Sequence, residues 1–359
     1  MSRLNEDEGA VLARIEAFRR RRPRLTDDTV TLAHGAGGKA SAALVDAVFV
    51  EAFGAPDPTE LTDGAVLDVP EGRLAFSTDS YVVNPIRFPG GSIGDLAVNG
   101  TVNDLAVSGA VPRWLSAAFV VEEGLPVAEL RAIAADMRAA ADRAGVAIVT
   151  GDTKVVPRGA ADRVFVTTCG IGTIPDGRRL GASLVRPGDR LVASGPIGSH
   201  GMAILLARGE LDLDADIRSD TAAVNGLVEA LYSAGVAPSW MRDATRGGLG
   251  TVANELAQAA GLAVIIDDEA LVVTPTVRGA CDMLGIDPLY VANEGCFVAV
   301  VAPDDAAGAV AALRAAGAAH AGVIGEIAEE PAGLVAVRNA FGGTRLVDML
   351  VGDPLPRIC

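Results

Sequence analysis

The chain has 359 residues, half of them hydrophobic, which suits two domains of ordinary size with packed cores. A net charge of −16, from 30 basic and 46 acidic residues, argues against a nucleic-acid or anionic-membrane surface. No signal peptide or membrane-length apolar run is present, so a soluble cytoplasmic protein is expected.

Val11, Leu12, Ile15 and Phe18 make one apolar stripe and predict a helix over 5–22, an extension ahead of the main fold. Thr29 to Ala33 reads as a short strand. His34-Gly35-Ala36-Gly37-Gly38-Lys39 then opens a helix over 41–53. A glycine-rich loop at a helix start can cradle a phosphate or simply turn the chain, and the residues alone leave both open. Leu74 to Asp79 alternates as a strand that delivers Asp79 at its end. A second glycine-rich turn, Phe88-Pro89-Gly90-Gly91-Ser92-Ile93-Gly94-Asp95, enters a helix containing Asn103 and Asp104, polar residues that need partners wherever they are buried. A strand over 114–122 and a helix over 127–144 follow. The apolar strand 146–149 then ends in Thr150-Gly151-Asp152-Thr153-Lys154, an acid and a base where α/β proteins collect ligands. The strand 162–174 closes the first half.

Residues 175–188 are rich in Pro, Gly and Arg and read as a linker. The second half predicts strands over 190–194, 262–266, 297–301 and 321–327. Its helices are expected over 199–207, 221–233, 304–315 and from Gly248 to 260. Two polar stretches interrupt this pattern, Arg242-Asp243-Ala244-Thr245-Arg246-Gly247-Gly248 and Ala292-Asn293-Glu294-Gly295-Cys296. Residues from Leu346 onward read as tail. The boundaries so implied are an N-terminal extension 1–28, domains 29–175 and 186–345, and a flexible tail 346–359.

Carboxylates recur where apolar elements give way to polar turns: Asp79, Asp95, Asp104 and Asp152. Such residues can cap turns and helices. They also suit Mg²⁺, which needs only a few carboxylates when phosphates and water complete its shell. Lys154 could offset phosphate charge. Cys169, Cys281 and Cys296 form no CxxC pair and read as ordinary semi-buried thiols. Cys359 differs, because a thiol on a terminal tail can travel to a site elsewhere on the molecule. Its own α-carboxylate disfavours the thiolate, and Arg357 is the nearest cation in sequence.

Together these stretches resemble the HypE family of hydrogenase maturation proteins, the carbamoyl dehydratases. The resemblance rests on His34-Gly35-Ala36-Gly37-Gly38, Ser77-Thr78-Asp79-Ser80, the 88–94 turn, Gly100-Thr101-Val102-Asn103-Asp104-Leu105-Ala106 and Gly151-Asp152-Thr153-Lys154-Val155-Val156. It rests also on Asp243 to Gly248, Ala292 to Gly295 and the terminal Pro356-Arg357-Ile358-Cys359. The aspartate motifs mark the wider superfamily similar to aminoimidazole ribonucleotide synthetase and selenophosphate synthetase, whereas the Pro-Arg-Ile-Cys end marks the family. Selenophosphate synthetases carry their Cys or selenocysteine near the N-terminus, and this chain has no Cys before residue 169.

The resemblance implies an α+β, two-domain aminoimidazole ribonucleotide synthetase-like fold whose N-terminal domains pair strands across a homodimer. It implies an enzyme that takes a carbamoyl group on Cys359 and dehydrates it with ATP to a thiocyanate, the source of a cyanide ligand for [NiFe] hydrogenase iron. Glu294 is then expected as general base and Lys154 as an electrostatic or proton-relay group. Asp79, Asn103, Asp104, Asp152, Thr153, Asp243, Thr245 and Arg246 are expected around ATP, with Mg²⁺ held by Asp79, Asp104 and Asp152. Expected partners are a HypF-like carbamoyltransferase and a HypC–HypD-like iron scaffold. Two readings compete: another ATP enzyme of the superfamily acting on a small substrate, and a non-catalytic scaffold.

Overall fold

A computed structural model describes residues 24–31, 34, 39–54, 72–209, 215–348 and 358–359. The extension helix expected over 5–22, the glycines at 35–38, and Pro354, Pro356 and Arg357 lie outside the described residues. In the first half, helices α1 (Lys39–Leu44), α2 (Ile93–Val107) and α3 (Val127–Ala144) accompany strands β1 (Arg73–Tyr81), β2 (Arg87–Phe88), β3 (Gly91–Ser92), β4 (Val111–Glu122), β5 (Ala147–Val156) and β6 (Val164–Ile174). The second half contains β7 (Arg190–Ala193), α4 (Ser199–Ala207), α5 (Asn225–Ser233), β8 (Trp240–Asp243), α6 (Gly248–Ala260), β9 (Ala263–Asp267) and α7 (Pro275–Leu284). It continues with β10 (Phe297–Val301), α8 (Ala306–Ala315), β11 (Gly322–Ala328), β12 (Val335–Arg338) and β13 (Thr344–Val347).

Each half builds its own sheet. The first has order β1-β6-β4-β5, antiparallel except for the parallel β4–β5 pair, so β1 and β5 are its two edges. The second has order β13-β12-β9-β11-β7-β10-β8. This is the expected α+β, two-domain arrangement. A continuous apolar core joins the halves, because Leu96, Ile133 and Phe119 of the first share one cluster with Met202, Val277 and Val291 of the second. Arg178 of the connecting segment adds a bidentate ion pair to Glu229 on α5, at 2.6 and 2.7 Å, and lies 3.9 Å over the Tyr232 ring.

Two expectations change, and one helix appears that none foresaw. Asp152 and Lys154 do not follow a strand but lie within β5. An edge strand with exposed side chains needs no apolar run to mark it, and polar residues there imitate a turn. Gly151 confirms the close strand contact, since a Cβ on it would meet the Ala117 carbonyl at 2.3 Å. The tail begins later than expected, because Leu346 pairs with Ala336 in the β12–β13 ladder. Helix α7 carries only Val277, Ala280 and Cys281 as buried residues, a stripe too thin to announce a helix in the sequence.

The turn at 88–95 has a firm local cause. Pro89-Gly90 links β2 to β3, with Gly90 at φ +98°. Ser92 then caps α2 by accepting from the Gly94 N–H at 3.1 Å and the Asp95 N–H at 3.4 Å, while Asp95 accepts the Ser92 N–H at 3.1 Å. That reciprocal capping box occupies Asp95, which is also paired with Arg143 at 3.0 Å. Asp95 is therefore a helix-capping residue.

Candidate active site

The last two residues are docked between the halves. Ile358 and Cys359 are buried, and the Cys359 α-carboxylate accepts the Val82 N–H at 3.0 Å, just beyond the end of β1. From the second half, Arg246 donates to the Cys359 Sγ at 3.1 Å. Burial, and next the nearby Glu294, push the thiol up to about 11, against the pull of Arg246. The cation beside this thiol is thus Arg246, supplied by the turn between β8 and α6.

Glu294 is buried in the segment entering β10, and its backbone is held on both sides. Asp220 accepts the N–H groups of Glu294 and Gly295 at 3.1 and 3.0 Å. Asn103 on α2 donates to the Ala222 and Glu294 carbonyls at 3.0 and 3.2 Å and accepts the Val224 N–H at 2.8 Å. Those bonds turn the Asn103 amide toward backbone, so it holds Glu294 in place instead of facing the cleft as a nucleotide ligand. Asn293 does similar work, accepting the Gly198 N–H at 2.7 Å and donating to the Ala244 carbonyl at 2.9 Å. It thereby fixes the turn that carries Thr245 and Arg246 relative to α4.

Carboxylates crowd this cleft. Asp104 accepts the Ser77 hydroxyl at 2.7 Å, and burial with the neighbouring Asp79 raises its pKa. Asp243, at the end of β8, is pushed up to about 7, first by burial and then by Asp104. Its Oδ2 is buried without a hydrogen-bond partner. Glu294 rises well above its ordinary value, first by burial and then through Asp243, Asp220, Asp79 and Asp104. A buried carboxylate oxygen with no donor, amid mutually repelling carboxylates, fits a cation made for hard oxygen ligands. Among the described residues no three His, Cys, Asp or Glu side chains converge as a finished metal cage.

Sequence reasoning thus identifies residues that the fold brings together: Asp79, Asp104, Asp243, Glu294, Arg246 and Cys359. It misplaces two. Asp152 and Lys154 are exposed on β5, paired with each other at 2.7 Å, with the Thr153 N–H on Asp152 at 2.8 Å. β5 is the edge opposite β1, so within one chain they stand apart from the docked thiol. It also misses His200, Ser219 and Asp220, which belong to no glycine-marked motif. A polar Ser219-Asp220-Thr221 just ahead of an apolar helix was the available signal.

The chain matches the N-terminal domain of AIR synthase related proteins over residues 61–174 and their C-terminal domain over 186–337. It is 55% identical to the carbamoyl dehydratase HypE of Rhodobacter capsulatus over 339 residues, covering 93% of this chain and 99% of that protein. The chain belongs to the HypE family of carbamoyl dehydratases. Among solved structures, a hydrogenase maturation protein HypE in complex with ATP superposes with a TM-score of 0.87 at 45% identity, covering 92% of this chain and all of that one. A HypE–HypF complex superposes with a TM-score of 0.75 at 42% identity, over 86% of this chain and all of that one. The extent of these matches places the HypE fold across both halves of the chain.

Proposed function

We propose that this chain converts an S-carbamoyl group on Cys359 to S-cyanate at the expense of ATP, supplying the cyanide ligand of [NiFe] hydrogenase iron. The observation that carries this reading is the docked terminal thiol, which Arg246 and Glu294 flank inside an acidic cleft. ATP and Mg²⁺ would supply the phosphoryl group for the carbamoyl oxygen and the positive charge that offsets the cleft carboxylates. Asp79, Asp104 and Asp243 are the residues to hold them, with Thr245 at the rim. Mg²⁺ needs few protein ligands when phosphates supply the rest, so an unfinished cage suits it.

The atoms balance without another reagent. The carbamoyl oxygen leaves as part of inorganic phosphate, and the nitrogen gives up two protons to become a nitrile. Glu294 takes a proton from that nitrogen, which requires its own carboxyl to have ionised first. A high pKa makes it a strong base once ionised. Arg246 holds the sulfur and places a fixed cation beside the carbamoyl oxygen. Burial of Ile358 and Cys359 excludes water that would hydrolyse the thiocarbamate.

Lys154 and Asp152 enter this scheme through a second copy. The β1 face bearing Leu74 and Phe76, 49% and 69% exposed, is apolar, and among the described residues β1 and β5 are unpaired sheet edges. A homodimer that pairs these edges would bring Asp152, Thr153 and Lys154 of one copy toward the cleft of the other. Phe76→Glu should accordingly shift the protein to monomer in light scattering and lower dehydration at least ~10-fold, since a charge in an apolar interface is strongly unfavourable. A monomeric wild type with full activity would exclude the arrangement.

Carbamoyl loading calls for a HypF-like transferase, and cyanide delivery for a HypC–HypD-like scaffold, so the tail must also leave its docked place. A cytoplasmic setting keeps its thiol reduced, and no helix among the described residues is long and apolar enough to cross a membrane. Intact-protein mass spectrometry with a carbamoyltransferase, carbamoyl phosphate and ATP tests the whole reading. Wild type should gain a carbamoyl adduct that becomes a cyano adduct on ATP addition, and Cys359→Ala should gain neither. ATP turnover with a small substrate and no adduct would instead favour another superfamily activity. Silence in both would favour a scaffold.

A further inference from the structure

His200 has no place in the scheme above, yet it touches the tail one residue before the reacting thiol. It lies in the first turn of α4, fully buried, edge-on to Phe88 with ring centroids 5.6 Å apart at 87°. Its Nε2 is 2.6 Å from the Ile358 carbonyl oxygen, and its Nδ1 is 2.8 Å from the Ser219 Oγ. Burial lowers its pKa to about 4, so the ring is neutral and carries one N–H. A carbonyl oxygen can only accept, which puts that proton on Nε2. Nδ1 must then accept from the Ser219 hydroxyl, and the same oxygen accepts the Thr221 N–H at 3.0 Å.

Ser219 is itself fixed to the first half. Its N–H donates to the Pro89 carbonyl at 2.8 Å. A Cβ on Gly90 would meet the Ser219 carbonyl oxygen and nitrogen at 2.7 and 2.8 Å, so only glycine lets the two backbones approach. One hydrogen-bonded line therefore runs from the Pro89-Gly90 turn through Ser219 and His200 to the Ile358 carbonyl. The next residue carries the thiol. The glycine turn is used for this contact between backbones.

We propose that His200 is a positioning residue for the dehydration step. With its Nδ1 held by Ser219, it latches the penultimate carbonyl through Nε2–H and holds Cys359 against Arg246 and Glu294. The inference rests on the dehydratase reading for its role in turnover, but not for its role in docking. A single neutral hydrogen bond holds without trapping, which suits a tail that must also leave to be loaded. Carbamoyl loading, which needs the tail undocked, should not slow when the latch is lost.

Two variants separate a latch from mere packing. His200→Leu fills the space and removes the donor. His200→Gln keeps an amide N–H near the Nε2 position. In His200→Leu, alkylation of Cys359, followed on the C-terminal peptide by mass spectrometry, should speed up ~10-fold, the size of one lost neutral hydrogen bond. Dehydration of the loaded carbamoyl group should slow by a similar ~10-fold factor, with loading by the transferase no slower than in wild type and the ATP KM within about twofold of it. His200→Gln should recover most of both effects. Equal behaviour of the Leu and Gln variants, or unchanged alkylation in both, would overturn the proposal. A wild type that never dehydrates would sink the dehydratase reading alone, since the alkylation arm still tests the latch.

Discussion

Glu294→Gln should load the carbamoyl group normally and then stall, with dehydration slower by ~10²–10⁴-fold, the usual contribution of a general base. The substitution is close to isosteric. The backbone of residue 294 stays clamped by Asp220 and Asn103, so folding should survive. Two further readouts bear on charge and not on shape. Glu294 contributes to raising the Cys359 thiol, so the glutamine variant should show a lower thiol pKa and faster alkylation at pH 8. The Glu294 pKa lies well above the ordinary carboxylate range, so the wild-type dehydration rate should climb with pH as the carboxyl ionises. The glutamine variant should lack that limb. Mass spectrometry that follows loss of the carbamoyl adduct checks the first result. Dehydration at the wild-type rate would remove Glu294 from the mechanism.

Much of this site was legible in the sequence because its residues sit in glycine-marked stretches at the ends of regular elements. Asp79, Asp243 and Glu294 all lie in or beside strands, and Asp104 sits on a helix of small residues that packs closely. Asp95 is ambiguous among the other carboxylates, although Ser92 three residues earlier carries the capping-box spacing that explains it. Other features depend on tertiary contact and leave little local trace. His200 is one polar residue in an apolar helix, and Ser219 becomes meaningful only when it meets Pro89, 130 positions away. The terminal cysteine was legible as a reactive group. Its buried position beside Arg246 was not, because two residues at a chain end have no periodicity from which docking could be read.

Asp243→Asn should stabilise the nucleotide-free protein and weaken its response to Mg²⁺–ATP. In the wild type, burial and Asp104 raise this carboxyl from 3.8 to about 7, and its Oδ2 finds no donor. A raised acid binds its proton more tightly in the folded state. The stability it allows is therefore fully present below pH 3.8 and is lost as pH climbs through 7. With each unit of pKa equivalent to ~1.4 kcal/mol, the loss by pH 8 is at most on the order of 4 kcal/mol, less where Asp104 shares the proton. Asparagine cannot ionise and escapes that loss. Denaturant midpoints taken from pH 4.5 to pH 8 should fall for the wild type and stay flatter for Asp243→Asn, with the gap widening as pH rises. Adding Mg²⁺–ATP at pH 8 should recover the wild type, because a ligand that binds the ionised cleft stabilises the folded state by linkage. The variant should gain much less. If the wild type shows no loss toward pH 8, or if both proteins gain equally from nucleotide, Asp243 is no part of the cation site. The expected cost of ionising the acidic cleft at neutral pH is what a cation–phosphate ligand would relieve on binding.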